Sequence, residues 1–279
     1  MLSKRALVPL ACTLLNGICG FAAVTLAARV PRGMDTYDAE AIQWLWLAGW
    51  FIIAAMLFDG LDGRLARLTR SASSFGGELD SLCDAISFGV APGFLLLKLS
   101  EPDAVPVPIL WSIAVFYISC VAIRLARFNT QNRPDEESHR IFRGLPSPAA
   151  AGVIAGVALV RHQIRTPTSF LGKLIELFEL EVAHVEHIVA VVLPVLALLL
   201  GLLMVSRLTY PHAVSTLFSR NTPRWVRFGI FVFAVPASLG LREAVIPLLF
   251  ASYAFLIPAL TIGISFGKRL VVGGAGSSA

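Results

Sequence analysis

Charged residues are scarce in this sequence. Asp, Glu, Lys and Arg make up 15% of its 279 residues, whereas an ordinary globular domain contains about 25%. Hydrophobic residues account for 56% of the chain, and the mean hydropathy is +0.75. This balance excludes a soluble globular protein, a disordered chain and a fibrous protein, and it indicates that the protein folds in a lipid bilayer.

Cysteine is also scarce, and its spacing is not that of a ligand set. The four cysteines, Cys12, Cys19, Cys83 and Cys120, lie within apolar stretches and form no CxxC pair. They predict small buried side chains and exclude a disulfide framework. The formal net charge of +5 could suit nucleic acid, but Lys and Arg mainly set the orientation of a membrane protein. We therefore expect no nucleic-acid partner.

Apolar blocks dominate the rest of the chain, most of them close to the roughly 20 residues that cross a bilayer. We mark eight blocks, at residues 6–28, 41–58, 79–97, 107–123, 147–160, 188–205, 228–241 and 244–266. With both termini in the cytoplasm, alternate loops gather most of the 23 Lys and Arg residues on that side, as the positive-inside rule requires. The predicted fold class is an all-α integral membrane protein of the cell membrane with about eight transmembrane helices.

Four aspartates lie in the stretch that runs from the end of the second block into the third. Asp59, Asp62, Asp80 and Asp84 belong to the pattern DxxDGxxAR, eight residues, GxxxDxxxD. Residues three or four apart share a helix face, so Asp59 pairs with Asp62 and Asp80 with Asp84. Because the two blocks are antiparallel neighbours joined by a short loop, we expect both pairs to converge on one pocket near the cytoplasmic surface.

Four carboxylates in a membrane protein need cations, because one Asp at a helix centre costs roughly 2.5 to 3.5 kcal/mol and like charges repel. Oxygen ligands without His or Cys favour Mg²⁺, Mn²⁺ or Ca²⁺, and two divalent ions would balance four acids. Two such ions about 4 Å apart are typical of phosphoryl transfer. Gly63 and Gly76 leave room for a base or phosphate, and Arg67 suits a fork contact with phosphate. Alternatively, the acids line the ion path of a cation channel or transporter.

The complete pattern resembles the signature of the CDP-alcohol phosphotransferases, membrane enzymes that make phospholipids from a CDP-linked lipid or alcohol. The resemblance implies a six-helix core around a two-metal site, with Mg²⁺ or Mn²⁺, open to the cytoplasm. It implies that Asp59, Asp62 and Asp80 hold one ion. Asp59, Asp80 and Asp84 would hold the other, and Asp84 would be the general base.

The same resemblance assigns a nucleotide pocket. Gly63, Ala66 and Gly76 would shape the cytidine site, and Arg67 would lie near the phosphates. Asn16, within the first apolar block, would lie near the nucleotide. For Asn16 an interhelical hydrogen bond is an equally open interpretation, because an amide in hydrocarbon needs a partner.

Further strings, at residues 87–92, 124–129, 144–149 and 203–207, resemble the bacterial and archaeal phosphatidylserine synthases of that family. This implies transfer of a phosphatidyl group from CDP-diacylglycerol to L-serine. Arg124 and Arg127 are our candidates for binding the carboxylate of serine, because Arg binds a carboxylate bidentately. Asn129 could add a polar contact to serine. Each arginine could instead anchor the helix at the membrane surface or contact lipid phosphate.

Some alternatives remain open at this point. Glycerol 3-phosphate or an inositol phosphate could be the acceptor. The loop at residues 133–143 could supply the extra cations that such a phosphorylated acceptor needs.

We divide the chain into a catalytic membrane domain at 1–211 and two additional C-terminal helices with a tail at 212–279. Gly152 and Gly156 form a small-residue face, which indicates close packing or the seam of a homodimer.

Overall fold

The computed structural model of the chain describes residues 7–31, 39–69, 73–100, 105–131, 142–210 and 242–256. Nine α-helices lie in these ranges: α1 Leu7–Ala28, α2 Ala39–Leu68, α3 Ser74–Asp84, α4 Ala91–Leu99, α5 Val107–Gln131, α6 Ser147–Arg165, α7 Phe170–Leu177, α8 Val182–Val205 and α9 Arg242–Ala251. Two π-helical segments, Ala85–Val90 and Ser252–Leu256, follow α3 and α9. Two short strands, β1 Phe142–Arg143 and β2 Thr209–Tyr210, pair antiparallel.

The helices confirm a multi-pass, all-α membrane protein. Within the described ranges, five helical segments are long and apolar enough to cross a bilayer: Leu7–Ala28, Ala39–Leu68, Ser74–Leu99, Val107–Thr130 and Val182–Val205. The fifth apolar block forms α6, which has 19 residues and is largely buried among the others. The eighth block begins in α9, whereas the seventh block and residues 257–266 lie outside the described residues.

Two glycines allow α1 to approach the third membrane segment closely. A Cβ on Gly17 would lie 2.9 Å from the sulfur of Cys83. A Cβ on Gly20 would lie 2.6 Å from the Cα of Ser87. Since real Cβ atoms do not approach so closely, only glycine permits this packing. The contact brings the polar residues of α1 up to α3.

The third membrane segment changes its winding directly after Asp84. The π-helical segment Ala85–Val90 separates α3 from α4, and π-helical turns inside α-helices frequently occur at functional sites. Phe88 is fully buried there, and its carbonyl oxygen accepts a hydrogen bond from the Tyr117 hydroxyl at 3.1 Å. The segment is thereby fixed to α5.

The strand pair fixes the start of α6 against the end of α8. Gly144 follows β1 with a φ of +85°, a conformation that side chains other than glycine rarely adopt. Its N–H donates to the carbonyl of Leu208 at 2.8 Å, and the N–H of Leu145 donates to Leu203 at 3.0 Å. A Cβ on Gly144 would collide with the carbonyl oxygen of Met204. The entry to α6 is therefore rigid.

A buried ionic network closes the other end of α6. Arg161 is 2% exposed, and its guanidinium donates to the carbonyl of Leu99 at 2.8 Å. Arg161 and Arg165 both bind Glu186 of α8, which is 4% exposed. These two ion pairs connect the end of α6 to the start of α8.

The small-residue face of α6 is filled within the chain. A Cβ on Gly152 would lie 2.6 Å from the ring of Phe250, and one on Gly156 would lie 2.5 Å from Pro247. Both partners belong to α9. The close-packing interpretation of this face therefore holds, and a homodimer would need another surface.

Candidate active site

Three of the four predicted aspartates come together. Asp59, Asp62 and Asp80 each offer one carboxylate oxygen, and these atoms lie within 4.8 Å of one another. The helix α2 extends to Leu68, so the DxxDGxxAR stretch is helical throughout. Asp59 and Asp62 therefore project from neighbouring positions of one helix, and Asp80 meets them from α3.

Asp84 lies beside this cluster, one helical turn beyond Asp80. It is 8% exposed and interacts electrostatically with Asp59, Asp80 and Asp62. Among the described residues, the group of oxygens within 4.8 Å of one another does not include Asp84. The four acids thus form a group of three and a neighbour.

Two side chains of α1 hold acids from two different helices. The Thr13 hydroxyl donates to Asp62 Oδ2 at 2.8 Å, and Asn16 Nδ2 donates to Asp84 Oδ1 at 2.9 Å. The Ser87 hydroxyl donates in turn to the backbone carbonyl oxygen of Asn16 at 2.8 Å. Since Thr13 and Asn16 are three residues apart, they share one face of α1. This helix therefore connects the acids of α2 with those of α3.

Thr13 is a site residue that our sequence reasoning missed. Its only sequence signal is a hydroxyl three residues before Asn16 in an apolar span. For Asn16, the interhelical hydrogen bond is realised. Its Oδ1 is nevertheless buried and has no hydrogen-bond partner within the described ranges, so a ligand could still bind there.

The donor set fits a divalent cation. Asp80 Oδ1 is buried and has no hydrogen-bond partner among the residues that the structure describes. A buried carboxylate oxygen left in this state is costly unless a cation meets it. The cluster offers only carboxylate oxygens, the ligands that Mg²⁺ and Mn²⁺ prefer. The acidic cluster thus has the ligand type and the spacing that could hold a divalent cation.

The predicted nucleotide residues lie on the open side of α2 and at the start of α3. A Cβ on Gly63 would meet no heavy atom within 4 Å, and one on Gly76 would meet only the Ser73 hydroxyl at 3.2 Å. Ser73 caps α3 by accepting a hydrogen bond from the Gly76 N–H at 3.1 Å. Ala66 is half-buried. The exposed Arg67 donates from Nε to the Gly63 carbonyl at 3.0 Å.

The three predicted serine ligands have different surroundings. Arg124 Nη1 donates to the Ser147 hydroxyl at 3.0 Å, and its buried Nε has no hydrogen-bond partner in the described structure. The Arg124 guanidinium also interacts electrostatically with Asp84 and Asp59. Arg124 therefore lies close enough to the acidic cluster for its charge to act on Asp84 and Asp59.

The other two candidates bind neighbouring helices. Arg127 Nη1 donates to the carbonyl of Val205 at 3.0 Å. Asn129 Nδ2 lies 2.9 Å from the hydroxyl of Ser81 on α3. Both contacts fix α5 against its neighbours. Of the three candidates, only Arg124 has a buried donor without a hydrogen-bond partner in the described structure.

Comparison with known proteins gives a family match and several relatives. The sequence profile of the family described as CDP-alcohol phosphatidyltransferase matches residues 6–262. A Helicobacter pylori protein named CDP-diacylglycerol--serine O-phosphatidyltransferase is 30% identical over 261 residues, which cover 93% of this chain and 91% of that protein. A protein of the same name from Methanocaldococcus jannaschii is 32% identical over 190 residues, with 68% and 71% coverage. The Saccharomyces cerevisiae protein of that name is 37% identical over 152 residues, with 52% and 51% coverage.

Proposed function

The chain belongs to the CDP-alcohol phosphatidyltransferase family, and on that premise we propose that it transfers a phosphatidyl group from CDP-diacylglycerol to L-serine, forming phosphatidylserine and CMP. The observation that carries the proposal is the convergence of Asp59, Asp62 and Asp80 from two helices, with Asp84 and Arg124 beside them. The names of relatives that match nearly the whole chain support serine as the acceptor.

The chemical step is a direct displacement at phosphorus. Asp84 accepts the proton of the serine hydroxyl, and the serine oxygen attacks the phosphorus that bears diacylglycerol. The bond between that phosphorus and the oxygen bridging to CMP breaks, and CMP leaves with the bonding electrons. Positioning and electrostatics supply the catalysis, and no covalent enzyme intermediate is needed.

Asp59, Asp62 and Asp80 would hold one divalent ion, and Asp59, Asp80 and Asp84 a second, as Mg²⁺ or Mn²⁺. When bound, such ions stabilise negative charge on phosphoryl oxygens. Thr13 and Asn16 fix two of the carboxylates through their hydrogen bonds.

The cytidine would be bordered on the open side of α2 by Gly63, Ala66 and Gly76. Arg67 would contact the phosphates, and the unpartnered Oδ1 of Asn16 offers an acceptor toward the nucleotide.

Serine would bind on the α5 side of the acids. We assign its carboxylate to Arg124, whose buried Nε remains available and whose planar guanidinium suits carboxylate. Arg127 and Asn129 would fix the position of α5 through their hydrogen bonds to Val205 and Ser81.

The acids would face the cytoplasm in the cell membrane, as the distribution of Lys and Arg favours. Residues 1–211 would form the catalytic domain.

A substrate-release assay tests this function. Purified protein in detergent is given CDP-diacylglycerol and Mg²⁺ or Mn²⁺, and CMP is measured with and without L-serine. We expect CMP release that depends on both serine and the divalent ion, and phosphatidylserine as the lipid product. Chelation by EDTA should stop the release, and added metal should restore it.

Other outcomes would replace the proposal. CMP release with glycerol 3-phosphate or an inositol phosphate, and none with serine, would assign a phosphorylated acceptor. The loop that could supply the extra cations lies outside the described residues except at residues 142 and 143. Absence of CMP release with every acceptor, together with cation flux in vesicles, would assign transport.

A further inference from the structure

The segment at residues 144–149 takes no part in the reaction as proposed so far. Its sequence is GLPSPA, and it connects β1 to the first turn of α6. Ser147 is the first residue of α6 and is 0% exposed. A fully buried hydroxyl calls for a hydrogen-bond partner, and the partner of this one lies on α5.

The backbone around Ser147 is held independently of its side chain. Pro146, with φ of −58° and ψ of 136°, directly precedes the helix, and Pro148 lies in its first turn. Proline fixes φ and suits the first turn of a helix. The N–H of Ala150 donates to the carbonyl of Pro146 at 3.1 Å, and the N–H of Gly144 donates to α8's end as described above. Removal of the Ser147 hydroxyl should therefore leave this backbone in place.

The Ser147 hydroxyl accepts a hydrogen bond from Arg124 Nη1 at 3.0 Å. A guanidinium is planar and carries five donors in a rigid arrangement. A bond that fixes Nη1 therefore restricts the orientation of the whole plane, including the Nε–H. Nε is the buried donor for which the described part of the chain provides no partner. Ser147 thus engages the guanidinium at one nitrogen and leaves its Nε–H for another acceptor.

We propose that Ser147 is a positioning residue of the acceptor site, whose hydroxyl holds the Arg124 guanidinium in the orientation that receives the carboxylate of serine. This inference rests on the proposed function, which assigns that carboxylate to Arg124. Ser147 acts through Arg124 and does not itself contact the substrate. The segment at residues 144–149 thereby acquires a part in acceptor binding.

A neutral hydroxyl is suited to this task. An arginine side chain that is ordered only when the acceptor binds weakens binding, because its rotamer freedom is lost at that moment. The bond from Ser147 orders the side chain in advance. A serine oxygen accepts from the guanidinium without carrying a charge. An acid at the same position would instead compete with the acceptor carboxylate and cancel the charge that attracts it.

The first test is the Ser147→Ala variant of the full chain. We expect the KM for serine to rise about tenfold, the effect of losing one hydrogen bond to a charged group. The kcat and the KM for CDP-diacylglycerol should change by less than about twofold, because a loss of acceptor binding alone leaves both in place. An unchanged serine KM would overturn the inference.

Ser206→Ala is the matched control. The Ser206 hydroxyl donates to the carbonyl of Leu203 at 2.8 Å and accepts from the N–H of Leu208 at 3.4 Å. The carbonyls of these two leucines hold the start of α6, so the variant loosens the same joint without removing the bond to Arg124. It should lower the thermal stability and leave the serine KM nearly unchanged. An equal rise of the serine KM in Ser206→Ala and Ser147→Ala would overturn the inference.

A double-mutant cycle tests whether Ser147 acts through Arg124. Arg124→Met removes the donors and keeps a long side chain. The slope of the initial rate against serine concentration gives kcat/KM even where saturation is not reached. In the Arg124→Met background, Ser147→Ala should lower kcat/KM no further, since two residues that act as one unit are not additive. A second tenfold loss would overturn the inference.

Equilibrium binding of radiolabelled serine in an Asp84→Asn background gives a readout that does not need turnover. We expect weaker binding when Ser147→Ala is added. If the wild-type chain releases CMP with serine and Ser147→Ala binds serine normally, the inference fails and the proposed function stands. If the wild-type chain binds serine without releasing CMP and Ser147→Ala weakens that binding, the proposed reaction fails and the positioning role stands.

Discussion

Asn16 on α1 donates a hydrogen bond to the carboxylate of Asp84 at the end of α3, with 2.9 Å between nitrogen and oxygen. Both residues are buried, at 0% and 8% exposure. The bond occupies one oxygen of Asp84 and orients the other. The side-chain amide of Asn16, on a separate helix, thus fixes the orientation of the Asp84 carboxylate, the proposed general base.

Asn16→Ala should lower kcat for CMP release by about tenfold or more, because a hydrogen bond to a charged group is worth about 1.5 to 3 kcal/mol. The measurement is the steady-state rate with serine and CDP-diacylglycerol in excess. Thr25→Ala is a suitable control on the same helix, since the Thr25 hydroxyl is exposed and donates to the nearby Ala22 carbonyl at 2.9 Å. A kcat of wild-type size in Asn16→Ala would show that Asp84 needs no such orientation.

Asp84→Asn should abolish turnover and spare much of the nucleotide affinity. The amide keeps the shape of the carboxylate but cannot accept the serine proton, and loss of a general base typically costs about 10²- to 10⁴-fold in rate. CMP release gives the rate, and titration calorimetry with CDP gives the affinity. Wild-type turnover in this variant would move the base to another residue.

The sequence predicted the acids and the membrane class from local rules. Spacings of three and four residues place Asp59 with Asp62 and Asp80 with Asp84 on helix faces whatever the tertiary structure is, and the apolar blocks follow from bilayer thickness. It could not predict that α1 joins the two pairs, because the contact of Thr13 with Asp62 spans 49 residues and depends on the packing of Gly17 and Gly20. Long-range pairing of this kind leaves no periodic signal.

Thr13→Val should raise the concentration of divalent ion needed for half-maximal activity. Valine keeps the shape of threonine but removes the hydroxyl that binds Asp62 Oδ2, so this carboxylate loses its orientation in the cluster. Binding of Mn²⁺ followed by electron paramagnetic resonance checks the effect without turnover. Thr13→Ser restores the hydroxyl and should restore metal affinity, and equal affinity in all three proteins would contradict a positioning role.

The ionic network at the far end of α6 was also beyond sequence reasoning. Glu186 follows Arg161 by 25 residues and Arg165 by 21, and the positive-inside rule treats all arginines outside the bilayer alike. Only the fold shows that Glu186 is buried against Arg161. Likewise, residues 152 and 156 could have served a dimer or an internal contact, and the choice depends on α9.

Glu186→Ala should destabilise the protein by about 3 to 5 kcal/mol, because it removes the carboxylate opposite a buried guanidinium. Thermal unfolding in detergent measures the loss. His184→Ala is the control: its contact with Glu181 is exposed, with 80% and 67% of the side chains accessible, and surface pairs contribute about 0 to 1 kcal/mol. The serine KM of Glu186→Ala should be unchanged in folded protein, since α6 separates this network from Ser147 by about 20 Å. Equal stability of the two variants would show that the network is not a structural tie.

Gly63→Ala separates a role in ligand binding from a role in folding. A methyl group at Gly63 meets no protein atom within 4 Å, and alanine favours a helix over glycine by about 1 kcal/mol, so the fold should gain stability if it changes at all. If cytidine lies against this backbone, the same methyl group enters its space, and the KM for CDP-diacylglycerol should rise about tenfold, as for a close contact worth roughly 1.4 kcal/mol. Gly60→Ala provides the comparison, because Gly60 is equally unobstructed on the same helix and lies outside the proposed pocket. A rise in KM confined to Gly63→Ala supports the pocket, whereas identical kinetics in the two variants would place the nucleotide elsewhere.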